Sequence, residues 1–353
     1  MQLFSCQNCG QLVYFENTVC VRCKHRLGYL PERGVLSAVE PDGADWRALA
    51  DRSTAYRFCA NWELNACNWM VPADGDSPYC TACQHNRTIP DLTVPGNPPL
   101  WRKLEQAKRR LFYSLIKLGL PMPTEDSGDP EPLIFDFLAT TPQTPRVMTG
   151  HANGLITISL SEADDAAREA LRTQMHEPYR TLLGHFRHEV GHYYWDKLVQ
   201  DRGGQDAFRQ VFGDEREDYA AALQRHYEQG PAPGWQDAFV SEYATTHPWE
   251  DWAETFAHYL HIVDTLEMAS AFGISVKPEV SDDPTLEADL HFDPYRTRRF
   301  ARIIEAWLPL SYAVNSLNRS MGQPDLYPFV LSPAAIGKLE FVHHLLREAG
   351  SAG

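Results

Sequence analysis

The stretch LLGHFRHEVGHYYWDKLV, from Leu182 to Val199, contains the motif His-Glu-x-x-His at residues 188–192. Side chains four residues apart share one face of an α-helix, so His188 and His192 would lie one turn apart. Two imidazoles in this arrangement can bind one Zn²⁺ and leave room for a water molecule. Glu189 beside them could accept that water's proton. The stretch therefore predicts a metal-binding helix that carries a general base.

Apolar side chains cover most of the surface of this predicted helix, which is typical of a buried helix. Buried histidines and a buried glutamate cost free energy unless a partner satisfies them, and a metal ion would do so. The alternative is a core helix with two hydrogen-bonded histidines. Gly184 and Gly191 would let another backbone approach closely. The apolar residues are Leu182, Leu183, Phe186, Tyr193, Trp195, Leu198 and Val199.

A second informative stretch is FVSEYATTHPWEDWAETFAHYLHIVDTLEM, residues 239–268, in which Pro248 stands where a helix would begin. At helical spacing Glu250 and Glu254 share one face, while aromatic and aliphatic residues occupy the opposite face. We expect Glu250 to be the third zinc ligand and Glu254 to hold a ligand histidine through its other ring nitrogen. Asp251 is the alternative ligand, and a solvated acidic face is the alternative interpretation.

Tyr243 lies two turns before Glu250 in this stretch. A phenol near a catalytic metal can donate a hydrogen bond to the oxyanion of a tetrahedral intermediate. We therefore expect Tyr243 to have this role. His247 is an alternative donor, and either residue could instead be structural.

Two Cys-x-x-C pairs occur near the N-terminus, Cys6 with Cys9 and Cys20 with Cys23. Such pairs on a short hairpin place four thiolates around one tetrahedral zinc ion. Gly10 follows the first pair, where a tight turn needs a permissive residue. Two such pairs argue against a redox dithiol. Four thiolates can also bind iron, so iron is the alternative to zinc.

A second set of cysteines follows: Cys59, Cys67, Cys80 and Cys83. The count predicts a second four-thiolate site, although the first pair has a longer spacing, and buried free cysteines are the alternative. All eight cysteines of the chain lie within residues 6–83. This confinement fits metal sites in a reducing compartment better than a secreted disulfide framework, so we expect a cytoplasmic location.

The chain of 353 residues has a formal net charge of -15, which argues against nucleic-acid binding and against attraction to anionic membranes. Residues 1–98 contain eight basic and ten acidic residues and no basic stripe. No segment resembles a signal peptide or approaches the length of a membrane span. A protein partner of the N-terminal region is more in keeping with this composition than a nucleic acid.

Between these regions, residues 100–120 have helical spacing with a basic face, which we interpret as solvated. Residues 133–139 and 146–160 read as strands, and Asn153-Gly154 predicts a hairpin turn. In zinc peptidases an edge strand beside the metal helix commonly holds the substrate backbone. Gly154–Leu160 is the candidate for such a strand.

These stretches together resemble a family of bacterial zinc-ribbon proteins with a zinc-binding metallopeptidase domain. The resemblance covers nearly the whole chain and includes EPYRTLLGHFRHEVGHYYWDKLV from Glu177, FGDEREDYAAAL, and HPWEDWAETFAHYLHIVDTLE from His247. The second half also looks like the gluzincins, in which a downstream glutamate is the third ligand. The chain lacks the Asn-Glu-x-x-x-Asp form of thermolysin, so the choice between Glu250 and Asp251 stays open.

The resemblance implies an α+β protein. Residues 1–98 would form a zinc-ribbon module with two structural zinc ions, and residues 99–353 a mostly helical, zincin-like metallopeptidase domain with a small sheet and one catalytic zinc ion. The expected activity is that of an endopeptidase acting on a peptide or protein. Two alternatives are a protein-binding scaffold with an inactive site, and a protease for protein crosslinked to DNA.

Overall fold

The computed structural model describes residues 2–141, 147–174 and 181–350, without the side chains of residues 170–174. Residues 177–180, which begin one of the stretches quoted for the family resemblance, lie outside the described residues. Contacts divide the chain into two compact units. The first unit comprises Met1–Lys117 with Met122–Asp165, and the second comprises Leu118–Pro121 with Ala166–Gly353.

The first unit begins with a small hairpin, β1 (Phe4–Ser5) and β2 (Leu12–Val13), and continues with an antiparallel sheet of five strands in sequential order. Its core is built from alternate inward-facing residues, among them Leu30, Val39, Tyr56 and Met70. The five strands are β3 (Arg26–Leu30), β4 (Val35–Asp42), β5 (Asp45–Ala48), β6 (Asp51–Phe58) and β7 (Met70–Pro72).

A long helix, α1 (Asn97–Leu118), packs within the first unit, and part of its basic face is buried although the sequence predicted a solvated face. Lys108 is fully buried and Arg109 is 7% exposed. Lys108 pairs with Glu105 at 3.1 Å, and Glu105 lies 3.8 Å from the Cys83 sulfur. The expectation of a solvated face was wrong for these two residues because buried carboxylate and thiol groups favour buried cations beside them.

The first unit also contains a second sheet, in the order β10, β11, β9, β8. The hairpin predicted at Asn153-Gly154 is confirmed, since both residues have positive φ and join antiparallel strands. However, β11 pairs with β10 on one side and with β9 on the other, so the predicted edge strand at Gly154–Leu160 was wrong. The strands are β8 (Asn86–Thr88), β9 (Ile134–Leu138), β10 (Gly150–Ala152) and β11 (Leu155–Ser159).

The second unit is mostly helical, with one two-stranded ladder of β12 (Ser275–Val276) and β13 (Ala288–Asp289). The sheets of the first unit and the helices of the second make the chain α+β, as expected. The helices are α2 (Asp165–Gln174), α3 (Leu182–Trp195), α4 (Gln205–Phe212), α5 (Tyr219–Gln229), α6 (Pro248–Ala271), α7 (Phe300–Ser320) and α8 (Pro333–Gly350).

Helices α3 and α6 pack closely at Gly191, as expected for a glycine on that face. A Cβ atom built on Gly191 would lie 3.1 Å from the Ala253 Cα atom and 3.3 Å from its carbonyl oxygen. The Trp252 indole also donates a hydrogen bond of 2.8 Å to the Gly191 carbonyl. Gly184 meets side chains instead, with the Thr181 hydroxyl nearest. The close approach at Gly191 allows side chains from α6 to reach the histidine motif on α3.

Helix α5 begins at Tyr219, after the acidic segment Asp214–Glu217. Asp218 caps it by accepting a hydrogen bond from the Ala221 amide. Among the described helices, none combines the length and apolarity that a membrane-spanning segment needs.

Candidate metal centre

Helix α3 places His188 and His192 one turn apart on the same face. The two Nε2 atoms lie 3.2 Å from each other. Thr181 caps the helix by accepting a hydrogen bond from the Gly184 amide, so the motif begins in the second turn of a well-formed helix. Both imidazoles therefore point their Nε2 atoms to one location.

Helix α6 brings Glu250 to this location from a distant part of the chain. Its Oε2 atom lies 3.0 Å from Nε2 of His188 and 3.4 Å from Nε2 of His192. The His247 side chain caps α6 by accepting from the Trp249 amide, and Pro248 occupies the first turn, so Glu250 also lies in the first turn. The three residues predicted as ligands are thus brought together.

The chemistry of these three donor atoms fits zinc. Bonds of about 2.0–2.1 Å in a tetrahedral site place neighbouring ligand atoms roughly 3.3 Å apart, close to the separations between these nitrogen and oxygen atoms. Glu250 is 2% exposed, and its Oε2 atom has no hydrogen-bond partner in the described part of the chain. A buried carboxylate oxygen facing two imidazole nitrogens is satisfied by a cation at their centre.

Glu254, one turn further along α6, accepts a hydrogen bond of 2.8 Å from Nδ1 of His188. The Ser241 hydroxyl donates to the other oxygen of Glu254 at 2.5 Å. Burial alone would raise the pKa of Glu254, but the hydrogen bond and charge of His188 lower it to about 2. Glu254 is therefore an ionised carboxylate in contact with Nδ1 of His188.

Asp251, the alternative ligand, faces away from the histidines. Its Oδ2 atom lies 2.6 Å from the Lys338 ammonium on α8, and both side chains are buried. Burial raises the pKa of Asp251 to about 7, against the opposing effect of Lys338. Glu250, and not Asp251, is therefore the carboxylate beside the histidine pair.

The electrostatics of the centre favour a cation. Burial would lower the pKa of His188, but Glu250 and Glu254 raise it well above its ordinary value. Burial would raise the pKa of Glu250, but His192 and His188 lower it well below its ordinary value. Both shifts arise because two carboxylates surround the imidazoles and stabilise a positive charge there, whether it is a proton or a metal ion.

Glu189 and Tyr243, the predicted catalytic residues, are close to this centre. Burial raises the pKa of Glu189, although the neighbouring His188 and His192 oppose the shift. The ring of Tyr243 has its centroid 5.8 Å from that of His188. Burial, with a further effect of Glu250, raises the pKa of Tyr243 well above its ordinary value, so its hydroxyl keeps the proton it would donate.

His247, the alternative donor to an oxyanion, has both ring nitrogens engaged elsewhere. Its Nδ1 atom accepts from the Trp249 amide, and its Nε2 atom donates to the Glu217 carbonyl at 3.1 Å. These contacts assign His247 a structural position at the start of α6.

Three residues at the centre were not found by sequence reasoning. The Tyr219 hydroxyl donates to Oε1 of Glu250 at 2.7 Å, and the Trp249 ring lies against His192 with centroids 4.8 Å apart. Ser241, which donates to Glu254, is the third. Helical spacing relates only residues within one helix, and Tyr219 lies 31 residues from Glu250 on a different helix. The sequence therefore pointed to Tyr219 only through its place in the stretch FGDEREDYAAAL, which was quoted for the family resemblance.

The eight cysteines of the first unit form the two predicted groups. In the first group, Cys6 and Cys23 have sulfur atoms 3.6 Å apart, as do Cys9 and Cys20. In the second group, comprising Cys59, Cys67, Cys80 and Cys83, the Cys67 and Cys80 sulfur atoms are 3.7 Å apart. Zinc–sulfur bonds of about 2.3 Å in a tetrahedron give a separation of roughly 3.8 Å. Both groups fit a four-thiolate metal site.

Tight turns after its two Cys-x-x-Cys pairs explain why the first group forms. The Gly10 amide donates to the Cys6 carbonyl, and the Lys24 amide donates to the Cys20 carbonyl, so each pair closes a tight turn. Gly10 and Lys24 both have positive φ values of 71° and 64°, in the left-handed region where glycine is favoured. The expected role of Gly10 is confirmed, and Lys24 occupies the equivalent place after the second pair.

Comparisons with known proteins agree with these centres. Residues 97–345 match a family described as "Putative zinc-binding metallo-peptidase", and residues 3–94 match a zinc-ribbon domain. The chain is 44% identical over 349 residues to an uncharacterized protein of Mycobacterium bovis and to one of Mycobacterium tuberculosis, covering 99% of this chain and 96% of each relative. No solved structure matches the chain. The chain therefore belongs to this zinc-binding metallo-peptidase family and carries a zinc-ribbon domain before the peptidase region.

Proposed function

We propose that this protein is a zinc-dependent endopeptidase that hydrolyses bonds within a peptide or protein substrate. The observation that carries the proposal is the meeting of Glu250 Oε2 with Nε2 of His188 and His192 at 3.0–3.4 Å, with Glu189 beside them. Three protein ligands, rather than four, are typical of a catalytic zinc site, because the remaining position serves water or substrate.

In this proposal His188, His192 and Glu250 hold the zinc ion, and Glu254 orients His188. Zinc, when bound, supplies a water of lowered pKa and polarises the carbonyl of the peptide bond. Glu189 would accept the water's proton and return it to the leaving amine. Tyr243 donates a hydrogen bond to the oxygen that gains negative charge.

The two four-cysteine groups are proposed to hold one structural zinc ion each, so the complete chain would bind three zinc ions. All eight cysteines are free of disulfides, which suits a reducing compartment and supports the proposed cytoplasmic location. The zinc-ribbon domain is proposed to contact a protein partner rather than nucleic acid, because residues 1–98 carry no basic stripe.

The proposal is tested by the substitution Glu189→Gln, which preserves the shape of the side chain but removes the base. We expect the variant to keep three zinc ions per chain, measured by atomic emission. Its cleavage of a quenched-fluorescence peptide library should fall by about 10²–10⁴-fold. Glu228→Gln is the matched control, because Glu228 is exposed on α5 and the substitution is chemically the same.

Unchanged cleavage by the Glu189→Gln variant would refute the role of Glu189. A wild-type chain that carries two zinc ions and leaves the library intact would instead favour a scaffold with an inactive site. The sites of cleavage, read by mass spectrometry, distinguish an endopeptidase from an enzyme that trims chain ends.

A further inference from the structure

The two oxygens of Glu250 have different partners. Oε2 faces Nε2 of both His188 and His192, whereas Oε1 accepts a hydrogen bond of 2.7 Å from the Tyr219 hydroxyl. Glu250 is 2% exposed, so solvent contributes little to holding its carboxylate. A hydrogen bond to a charged group in such surroundings is stronger than one between neutral groups, and it selects one orientation of the carboxylate.

Contacts around Tyr219 hold its hydroxyl in this position. Tyr219 is the first residue of α5, whose start is capped by Asp218. Glu217, two residues before Tyr219, accepts a hydrogen bond at its carbonyl from Nε2 of His247. The rings of Tyr219 and His247 are in edge contact with centroids 5.3 Å apart. His247 also caps α6, so it joins the segment that carries Tyr219 to the helix turn that carries Glu250.

We propose that Tyr219 is a positioning residue that restricts Glu250 to binding the metal through one oxygen. This inference rests on the proposed function, because it concerns the same metal centre. A carboxylate can bind a metal ion through one oxygen or through both. With two histidines, a two-oxygen carboxylate would occupy the position that water needs, whereas the hydroxyl of Tyr219 on Oε1 keeps that oxygen away from the metal.

Tyr219 and Tyr243 thus have separate tasks. The Tyr219 hydroxyl is directed to Glu250 and acts through this ligand, while Tyr243 lies against His188 and is proposed to contact the substrate. Removing the Tyr219 hydroxyl should therefore change the affinity and the coordination of the metal ion, even when no substrate is present. This consequence separates a positioning role from a role in substrate binding or in general stability.

The test uses the full chain and the substitution Tyr219→Phe, which removes only the hydroxyl. Tyr227→Phe is the matched control, since Tyr227 lies on the same helix and is 60% exposed. A chelator first removes the zinc ion held by three ligands, and one equivalent of Co²⁺ replaces it. Retention of two zinc ions per chain and an unchanged circular dichroism spectrum show that each variant is folded.

We expect the affinity of the centre, measured by competition with a chelating dye, to fall about 10–100-fold in Tyr219→Phe and to stay unchanged in Tyr227→Phe. The visible Co²⁺ bands should also weaken in Tyr219→Phe. Oε1 of Glu250 would then become a fifth ligand atom, and five-coordinate Co²⁺ absorbs visible light less strongly than four-coordinate Co²⁺. A merely structural role would leave these bands unchanged.

A second variant, His247→Asn, keeps a side chain suited to capping α6 but loses the ring nitrogen that donates to Glu217. We expect the same direction of change as for Tyr219→Phe, with a smaller size. Wild-type affinity and wild-type bands in Tyr219→Phe would overturn the inference and leave the proposed function standing. Failure of the wild-type chain to bind a third metal ion would overturn both.

Discussion

Nδ1 of His188 donates a hydrogen bond of 2.8 Å to Oε1 of Glu254, one turn of α6 beyond Glu250. An ionised carboxylate can only accept, so this contact places a proton on Nδ1 and leaves Nε2, which faces Glu250 and His192, as the nitrogen that would bind a metal ion. The Ser241 hydroxyl holds the second oxygen of Glu254. A single carboxylate therefore decides both the tautomer and the ring orientation of a proposed ligand.

The substitution Glu254→Ala should lower the zinc affinity of this centre about 10–100-fold, because His188 loses the acceptor that fixes its tautomer. Glu254→Gln should have a smaller effect, since its amide oxygen can still accept the hydrogen bond. Competition with a chelating dye measures both affinities, and Glu228→Ala on the exposed face of α5 is the control. Equal affinities for Glu254→Ala and wild type would contradict the assigned role.

Neighbouring carboxylates on α6 should respond differently to substitution. Glu250→Ala should reduce the zinc content by one ion per chain, because it removes one of three ligands. Asp251→Asn should keep the zinc content but destabilise the fold by about 3 kcal/mol at pH 8, because Lys338 is left buried without a charged partner. Zinc analysis and urea unfolding measure the two effects. If Asp251→Asn lost one zinc ion per chain while Glu250→Ala kept it, the ligands would be wrongly assigned.

The packing of α3 against α6 predicts a cost for Gly191→Ala of about 1–3 kcal/mol, because the new Cβ would lie 3.1 Å from backbone of α6. Gly337→Ala is the control, since Gly337 lies inside α8 and its Cβ would have no neighbour within 4 Å. That substitution should stabilise the helix by about 0.4–1 kcal/mol. Thermal unfolding followed by circular dichroism should therefore show shifts of opposite sign.

Buried His343 predicts a pH dependence of stability. Burial lowers its pKa from 6.5 to about 4, and Arg347 adds to the shift. In its neutral form Nε2 donates to the Arg298 carbonyl, and Nδ1 accepts from the Tyr259 hydroxyl. As the pH falls below about 6.5 the unfolded chain takes up a proton that the folded chain refuses until about pH 4, so this contribution to stability is lost across that window.

For His343→Gln, the decrease in unfolding free energy between about pH 7.5 and pH 5 should be about 2 kcal/mol smaller than in the wild type. Urea unfolding followed by tryptophan fluorescence measures the decrease in both proteins. Comparing the two decreases removes the part that arises from other titrating groups. An equal decrease in both proteins would mean that His343 is already protonated in the fold at pH 5.

Much of the centre could be predicted because its parts repeat within one element. The spacing of His188 and His192, and of Glu250 and Glu254, follows from the period of a helix, so each pair could be assigned to one face before the structure. Three cysteine pairs could be recognised from Cys-x-x-Cys spacing, since a tight turn fixes the distance between two thiols, whereas Cys59 and Cys67 were assigned from the cysteine count. Helical spacing favoured Glu250, which shares a face with Glu254, but it could not exclude the adjacent Asp251.

The sequence by itself determined that two histidines and a glutamate lie on a buried helix, that a second helix carries carboxylates, and that eight thiols form two groups. These features depend mainly on the geometry of a helix or a turn, which fixes the relative positions of residues that are close together in the chain. Only the tertiary structure decided that Asp251 pairs with Lys338 while Glu250 lies beside the two histidines. It also decided that the Tyr219 hydroxyl donates to Oε1 of Glu250, and that Lys108 and Arg109 are buried. Those contacts join residues far apart in the chain. They depend on which faces of separate helices and strands pack together, and that packing is determined by the interactions of the whole chain rather than by any one segment.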